Sequence, residues 1–378
     1  MKINSIALEN FRNYEKLELE FDPSRNIFVG ENAQGKTNLI EAIYLTSFAK
    51  SFRTNNAADL IKFDEKLAKI CINIESEEIN KEISIVLRTD GKKMVKKDGK
   101  LLKKTADLLN NIVVIVFSPE DLRIIKDNPE KRRDYLNREL SQIRPRYYEQ
   151  LRAYNNVLKQ KNALLKNFSN EHSKTFNEDM LDVYDRQLAD SAYEIIRYRK
   201  EFVEMLSNEA SDIVSAISGG KETLQIEYKT ACNYITAPEG RELLYKQFHH
   251  NREKDMYAGN MTLGPHRDDL EFSINGVDAK KYGSQGQQRT IALSLKLAEI
   301  RIAKQLIGEY PILLLDDVLS ELDIDRQKYL VNQIEGVQLF ITSAEINDAV
   351  ISSLQGKIFK IEAGKVAPTA RNSQPHNL

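Results

Sequence analysis

The sequence predicts an α/β protein in which a β-rich N-terminal part and a later α/β part flank a long helical insertion. Three observations predict it. A glycine-bounded loop, Gly30-Glu31-Asn32-Ala33-Gln34-Gly35-Lys36-Thr37, stands between strand-like Ile27-Phe28-Val29 and a helix-like run from Asn38 to Phe48. Period-two alternation dominates roughly the first 125 residues. From Pro129 to about Ile217 the pattern becomes helical, highly charged and almost free of Gly and Pro.

In chain order, Leu17, Leu19 and Phe21 alternate, as do Ala68, Ile70, Ile72 and Ile74, and then Ile83, Ile85 and Leu87, the mark of half-buried strands. Asp90-Gly91 and Asp98-Gly99 are turn pairs, so residues 81–104 read as a three-stranded meander. Ile112 to Phe117 reads as a buried strand ending at Ser118-Pro119. The helical stretch places Met180, Val183, Tyr184 and Gln187-Leu188 at helical spacing and reads as two or three helices packed as an arm, broken by Ser218-Gly219-Gly220. Thr223 to Tyr228 returns as a strand, and Leu270, Phe272 and Ile274 lead into Asn275-Gly276, a hairpin signal. A helix from Arg289 to Leu306 precedes the apolar run Pro311 to Leu315, and Val337 to Ile341 reads as a further strand. These readings divide the chain into 1–125, the first half of an α/β head; 126–220, the helical arm, with the return to the head at 221 or only near 260; 221–364, the second half of the head; and 365–378, a flexible tail.

Composition narrows the class. With 378 residues, 41% hydrophobic and 29% charged at a net charge of -1, the chain suits a soluble protein of one large domain with an insertion, or two domains. No apolar run approaches the roughly 18 residues a membrane span needs. Met1-Lys2-Ile3-Asn4-Ser5 opens on a strand-like pattern rather than a signal peptide's apolar core. Cys71 and Cys232 lie far apart without metal-site spacing, which fits a reducing cytoplasm, and His249-His250 and the other histidines form no ligand motif.

The loop from Gly30 to Thr37 has the G-x-x-x-x-G-K-[ST] pattern of a nucleoside triphosphate site. Its glycines let consecutive backbone N–H groups turn toward phosphate oxygens, and the following helix adds the positive end of its dipole. Lys36 is expected to reach the β- and γ-phosphates and Thr37 to ligate Mg²⁺. Ile312-Leu313-Leu314-Leu315-Asp316-Asp317 has the form of a Walker B strand, expected beside the phosphate loop in a parallel sheet. Asp316 would then hold Mg²⁺, usually through water, and Asp317 would orient or deprotonate attacking water. Lys36, Asp316 and Asp317 are thus the candidate catalytic residues.

Tyr282-Gly283-Ser284-Gln285-Gly286-Gln287-Gln288, followed by a long helix, resembles the LSGGQ-type signature of ATP-binding-cassette ATPases, whose helix N-terminus grips a γ-phosphate. Ser320-Glu321-Leu322-Asp323 follows Walker B as a D-loop does in that class. Further segments make the chain similar to the RecF family of bacterial recombination mediators, which shares its ATPase head with SMC proteins. They are Asn10-Phe11-Arg12-Asn13-Tyr14, Gly30 through Glu41, Phe48-Ala49-Lys50-Ser51-Phe52-Arg53, Phe117-Ser118-Pro119-Glu120-Asp121-Leu122 and Thr262-Leu263-Gly264-Pro265-His266-Arg267-Asp268-Asp269. The resemblance runs over nearly the whole chain. It implies an ATP-binding-cassette, SMC-like ATPase head with an inserted helical arm, in a cytoplasmic protein that takes ATP and Mg²⁺. ATP would be bound by the loop residues with Arg12, and by Ser284, Gln285, Gly286 and Gln287 across an ATP-dependent homodimer. The resemblance further implies weak, DNA-stimulated ATP hydrolysis, and binding to gapped or double-stranded DNA largely regardless of sequence. With RecO and RecR the protein would help place RecA on single strands in gap repair and the SOS response.

Two departures from the cassette pattern point to slow turnover: Thr342-Ser343 stands where many relatives carry a histidine, and Asp317 where many carry a glutamate. No glutamine sits at Ser118-Pro119-Glu120 to sense Mg²⁺. Arg12 reads either as a nucleotide contact or as a solvent-facing hairpin arginine. His266 and Arg267 read as lining a dimer seam or nucleotide pocket, or His266 as a strand cap. Lys131, Arg132, Arg133, Arg138, Arg144, Arg146 and Arg152, with Tyr147 and Tyr148 among them, are candidates to neutralise DNA phosphates, and the lysines from Lys92 to Lys104 form a second basic ribbon. The alternatives are the ATPase subunit of a membrane transporter, for which the arm is too long, and an SMC-like tether, for which it is too short.

Overall fold

The computed structural model describes residues 1–368 apart from 55, 110, 172–177 and 345–355. The chain divides into two compact units, Met1–Leu122 with Ala292–Leu378, and Arg123–Ile291. The first unit opens with β1 (Lys2–Phe11), β2 (Tyr14–Glu20), β3 (Arg25–Val29), α1 (Lys36–Phe48), β4 (Leu67–Ser76), β5 (Ile79–Arg88), β6 (Lys93–Lys97), β7 (Lys100–Leu101) and β8 (Val114–Phe117). The second unit holds α2 (Pro129–Ile143), α3 (Pro145–Glu171), α4 (Glu178–Ser218), β9 (Leu224–Lys229), α5 (Gly240–His250), α6 (Arg252–Ala258), β10 (Asp269–Ile274), β11 (Val277–Asp278) and the start of α7 (Gln285–Ile307). The first unit resumes within α7 and adds β12 (Ile312–Asp316), α8 (Ile324–Gln333), β13 (Leu339–Ser343), β14 (Lys357–Glu362) and β15 (Lys365–Pro368).

Two six-stranded sheets build the first unit. One is antiparallel in the order β2-β1-β4-β5-β6-β7; the other runs β15-β14-β3-β13-β12-β8, parallel except for β15. Alternation explains the first sheet: Ile70, Ile72, Ile83, Ile85 and Leu87 face inward while their neighbours face out. Continuous apolar runs explain the second, since β8, β12 and β3 are buried on both faces. Helix α1 contacts strands of both sheets and buries Leu39, Ile40, Ile43, Tyr44 and Leu45, so its apolar residues run around the helix rather than along one stripe. Phe21, Phe28, Phe340 and Phe359 interlock in the shared core, the closest pair edge-to-face at 4.8 Å. Each such pair contributes about 0.5–1.5 kcal/mol beyond its burial.

In the second unit Asn128 caps α2 by accepting from the Lys131 amide, with Pro129 at the first helical position. Pro145 opens α3 just after the Arg144 cap. Helix α4 turns Leu181, Asp185, Leu188 and Ala192 inward; of the residues expected at helical spacing Leu188 is buried, while Met180 and Val183 are exposed. It packs on α3, α5 and β9, the last an edge of the three-stranded sheet β11-β10-β9.

Two expectations change in detail. Residues 221–291 cluster with the helical segment, because β9 and β10 pack on α4 and α2. Lys365–Pro368 is strand β15 rather than tail, paired with β14; residues 369–378 lie outside those described. The Walker B strand β12 lies in the same parallel sheet as β3, with β13 between them and hydrogen-bonded to both, and its Asp316 meets Thr37 of the phosphate loop as expected.

Candidate nucleotide site and signature helix

The parallel register sets the site. Thr342 pairs with Asp316 on one side and Phe28 on the other, so β3, β13 and β12 end together and deliver the glycine loop, Thr342 and Asp316 to one edge of the sheet. Open α/β sheets bind ligands at the carboxyl ends of their strands.

Gly35 precedes α1 with φ +120°, where a Cβ would lie 2.6 Å from the Asn13 side chain and 3.0 Å from the Tyr14 hydroxyl, so only glycine fits. Those two neighbours brace the loop: Asn13 Nδ2 donates to the Gln34 carbonyl at 2.8 Å, Tyr14 donates to the Gly35 carbonyl at 3.0 Å, and Asn38 donates to Asn13 Oδ1 at 2.8 Å. The β14–β15 turn braces it from another side, with the Ala363 and Gly364 amides donating to Gln34. No side chain caps α1, so its first-turn amides stay available to an anion.

Lys36 is buried and donates to the carbonyls of Gly30 at 2.5 Å and Glu31 at 2.9 Å. Burial pushes its pKa down, opposed by the nearby Asp317 and Asp316 carboxylates. Glu31, Asn32 and Ala33 are exposed at the rim. Thr37 and Thr342 each donate a hydroxyl to Asp316 Oδ1 at 2.9 Å, and the Asp317 amide donates to the Thr342 hydroxyl at 2.8 Å. Burial raises the pKa of Asp316, while the Thr342 and Thr37 hydroxyls pull it back. The Thr342 hydroxyl is therefore occupied as donor and acceptor, positioning Walker B. Asp317 turns with φ 54° and is exposed at the strand end. A hydroxyl and a carboxylate in contact are the sparse oxygen set that Mg²⁺ uses together with phosphate oxygens and water.

Arg12 lies near this site through a contact the sequence did not reveal. Its Nε and Nη2 clamp both oxygens of the fully buried Glu41 on α1 at 2.9 Å, and its Nη1 reaches the Asp59 carbonyl at 2.7 Å. Ser51 and Arg53 complete the Glu41 shell at 2.5 and 3.3 Å. Arg12 thus fixes the turn that carries Asn13 and Tyr14 onto the loop. Asn13, Tyr14 and Glu41 all lie inside segments that carry the family resemblance, their one signal in the sequence.

The signature lies in the second unit, where Ser284 and Gln287 form a reciprocal cap at the start of α7. The Gln287 amide donates to Ser284 Oγ at 3.2 Å, and the Ser284 amide to Gln287 Oε1 at 2.9 Å. Gln287 Nε2 also donates to Glu222 at 2.8 Å. Ser284 and Gln285 are exposed and Gly286 half-buried. Since Ser284 Oγ accepts within the cap, its hydroxyl proton remains free to donate.

Several candidates from the sequence turn inward. Arg132 is buried, with Nε and Nη2 on Asp269 at 2.6 and 2.9 Å and Nη1 on the Asp127 carbonyl at 2.6 Å, which removes it from any DNA surface. Arg133 donates to the Asp268 carbonyl at 2.9 Å, and Tyr147 is buried against Asn137 and Arg199. Lys131, Arg146 and Arg152 are exposed and Arg144 half-buried. Both ring nitrogens of His266 are taken up inside the second unit: its Nδ1 accepts from the Tyr154 hydroxyl at 2.7 Å and its Nε2 faces the Met261 carbonyl at 3.0 Å. Burial pushes its pKa down to about 4, so the ring is neutral, donating from Nε2. Gly264, at φ +136° and with a Cβ position 2.4 Å from Tyr154 Oη, lets the chain pass this pair. No described helix is long and apolar enough to cross a membrane.

Residues 2–364 match the model of the RecF/RecN/SMC N-terminal domain. The DNA replication and repair proteins RecF of Clostridium perfringens strain SM101 and Clostridium botulinum strain Loch Maree are 42% and 43% identical over 97% of this chain and 99% of their own length. Solved structures of the recombination mediator protein RecF in the RecFOR pathway, one with ATPrS and one with ATP, share 38% identity at TM-score 0.89. They cover 97% and 98% of this chain and 98% of each of theirs. The Smc head of Pyrococcus furiosus, at 16% identity and TM-score 0.55 over 98% of this chain and 96% of that one, shares the fold alone. With the phosphate loop, Walker B pair and capped signature in place, this chain belongs to the RecF family of DNA replication and repair proteins.

Proposed function

We propose that this recombination mediator binds ATP with Mg²⁺ at Gly30–Thr37, dimerises with a second copy across the nucleotide, and in that state engages gapped or double-stranded DNA. In the cytoplasm it then works with RecO and RecR to load RecA in gap repair and the SOS response. The observation that carries the reading is that one chain holds both complementary ends of a cassette site. The uncapped start of α1 sits with the Thr37–Asp316 pair, and the exposed start of α7 is already capped.

The first-turn amides of α1 and Lys36 hold the phosphates, and Thr37 and Asp316 hold the metal, which supplies charge neutralisation at the transferred phosphoryl group. Asp317, one methylene shorter than a glutamate, orients the attacking water from the strand end. The second copy's Ser284 to Gln287 present the helix N-terminus and a free hydroxyl proton to the γ-phosphate. With its hydroxyl committed to Asp316 and Asp317, Thr342 does not take the place of a histidine there, which favours a slow ATPase acting as a switch. On the arm, Lys131, Arg144, Arg146 and Arg152 remain candidates for DNA phosphates.

Sedimentation velocity with ATP and with gapped DNA tests this reading. Wild type is expected to become a dimer with ATP. Lys36→Ala should lose about tenfold or more in ATP affinity, since one charge-assisted contact is worth about 1.5–3 kcal/mol. Ser284→Arg should bind ATP and stay monomeric. If Ser284→Arg dimerises with ATP as wild type does, the signature is not the closing surface.

A further inference from the structure

Lys50, Lys93, Lys103 and Lys104 line one cavity of about 210 Å³ in the first unit, at the C-terminal end of α1, and no lining residue is a carboxylate. Among the described residues none of the four forms an ion pair. Lys93 Nζ donates to the Ala49 carbonyl at 2.9 Å, and Lys50 lies over the Phe48 ring at 5.4 Å.

Two ordinary explanations cover part of this. A helix C-terminus attracts one cation, and Lys93 on the Ala49 carbonyl is that cation. Lysines along an edge also block unwanted strand pairing, which accounts for Lys96, Lys97 and Lys100 on β6 and β7. Neither explains why Lys50, from the end of α1, and Lys103 and Lys104, beyond β7, converge on Lys93. Burial, and then the charge of Lys50, push the Lys93 pKa down, so the convergence is unfavourable by itself. Like charges gathered without an acid are stabilised by an anion from outside.

We propose that this lysine cavity is a phosphate seat for the DNA backbone. Compact ammonium groups hold phosphates without reading bases. The inference rests on the DNA-binding reading above and locates a contact in the head rather than the arm. It also joins the two ligands physically, because α1 starts at Lys36 in the phosphate loop and ends at the carbonyl that Lys93 holds.

The test is fluorescence anisotropy of a labelled duplex with the full chain across a salt series, comparing wild type with a Lys50→Gln, Lys103→Gln, Lys104→Gln variant. Lys93 is left in place because it caps α1. The variant is expected to bind DNA more weakly and to lose about 0.9 of log-log salt slope per contact removed, roughly 1 to 3 in all. Its ATP affinity should stay at the wild-type value. The matching Lys→Arg triple variant should keep the full slope, which separates charge from folding. Unchanged affinity and slope in the Gln variant overturn the seat while leaving the DNA-binding reading intact; a wild type that binds no DNA overturns both. Inorganic phosphate titrated at constant ionic strength is the second arm. Tight phosphate binding that only the Gln variant loses, with DNA binding untouched, assigns the cavity to free phosphate and overturns the proposal.

Discussion

Two basic stretches read alike in the sequence and end differently in the fold. Between Lys131 and Arg152, Arg132 clamps Asp269, Arg133 holds the Asp268 carbonyl and Arg138 pairs with Glu139. Between Lys92 and Lys104, the lysines of the cavity face one another without an acid. A run of positive charge records how many cations a segment carries, not how many it leaves available. The guanidinium fork suits bidentate pairing with a carboxylate, whereas an exposed ammonium stays hydrated until a phosphate arrives. Deeper in the second unit the same commitment recurs: Arg199 lies between Tyr147, Asn137, the Pro265 carbonyl and Asp268, and Lys161 pairs with Asp185 and Asp255.

The largest expected effect is at Lys161, fully buried and bonded to Asp185 at 2.8 Å and Asp255 at 3.1 Å. Lys161→Met leaves Asp185 with Arg252 but leaves Asp255 without a cation. Breaking a buried pair from one side costs about 3–5 kcal/mol. Urea denaturation followed by far-UV circular dichroism should show a loss near 3 kcal/mol, partly recovered when Asp255→Asn is added, since the uncompensated charge is the cause. Lys103→Ala in the ribbon should stay within about 0.5 kcal/mol of wild type. Equal losses at the two sites would erase the contrast between committed and available cations.

What the sequence made legible follows the same division. The phosphate loop was readable because its chemistry needs consecutive residues: glycines, then lysine and threonine opening a helix. Walker B was readable because a strand buried on both faces is a continuous apolar run that ends in its carboxylates. The place of β13 between β3 and β12 was not readable, since strand order in a parallel sheet is set by long-range packing. Nor was the clamp of Arg12 on Glu41, twenty-nine residues apart in the chain, or the capture of Arg132 by Asp269, one hundred and thirty-seven residues away. In α4 the periodicity gave the helix and the buried Leu188 but placed Met180 and Val183 where Leu181 and Asp185 face inward, because Asp185, polar in the sequence, is the inward partner of Lys161. Partners distant in the chain, the Asp269 carboxylate for Arg132 and the Asp268 carbonyl for Arg133, hid the fate of these cations, and with it the difference between the two basic stretches.

A smaller effect tests a cation that burial prevents from forming. His266 stays neutral in the folded protein down to about pH 4, while its unfolded counterpart takes a proton near 6.5. Burial is the first cause, and the positive charges of Arg267 and Arg133 add to it, against the Met261 carbonyl and Asp255. Between those values the unfolded chain binds more protons. The contribution is therefore complete above pH 6.5 and is lost as the pH falls toward 4, with a slope of at most about 1.4 kcal/mol per pH unit. His266→Gln keeps an acceptor for Tyr154 and a donor for Met261 without titrating. Its urea midpoint should fall less steeply than that of wild type over this window; parallel curves would mean that the ring is protonated in the fold, as the cations beside it would then have to tolerate.

The smallest effect is at the signature, where the interactions are local and largely uncharged. Gln287→Ala removes the acceptor for the Ser284 amide and the donor to Glu222, leaving Ser284 to cap the helix alone. A lost cap costs about 0.5–2 kcal/mol, and with Ser284 retained the loss should lie near the lower end. Because the backbone at Ser284 loses its anchor on Gln287 Oε1, the start of the signature loosens, and ATP-dependent self-association should weaken more than stability does, while ATP affinity of the separate chain stays unchanged. Sedimentation velocity beside urea denaturation of the same variant measures both. A variant that loses stability but dimerises with ATP at the wild-type concentration would show that the reciprocal cap serves the helix alone. The exposed start of α7 would then belong with the ordinary capped helix ends rather than with the groups this protein holds ready for an anion.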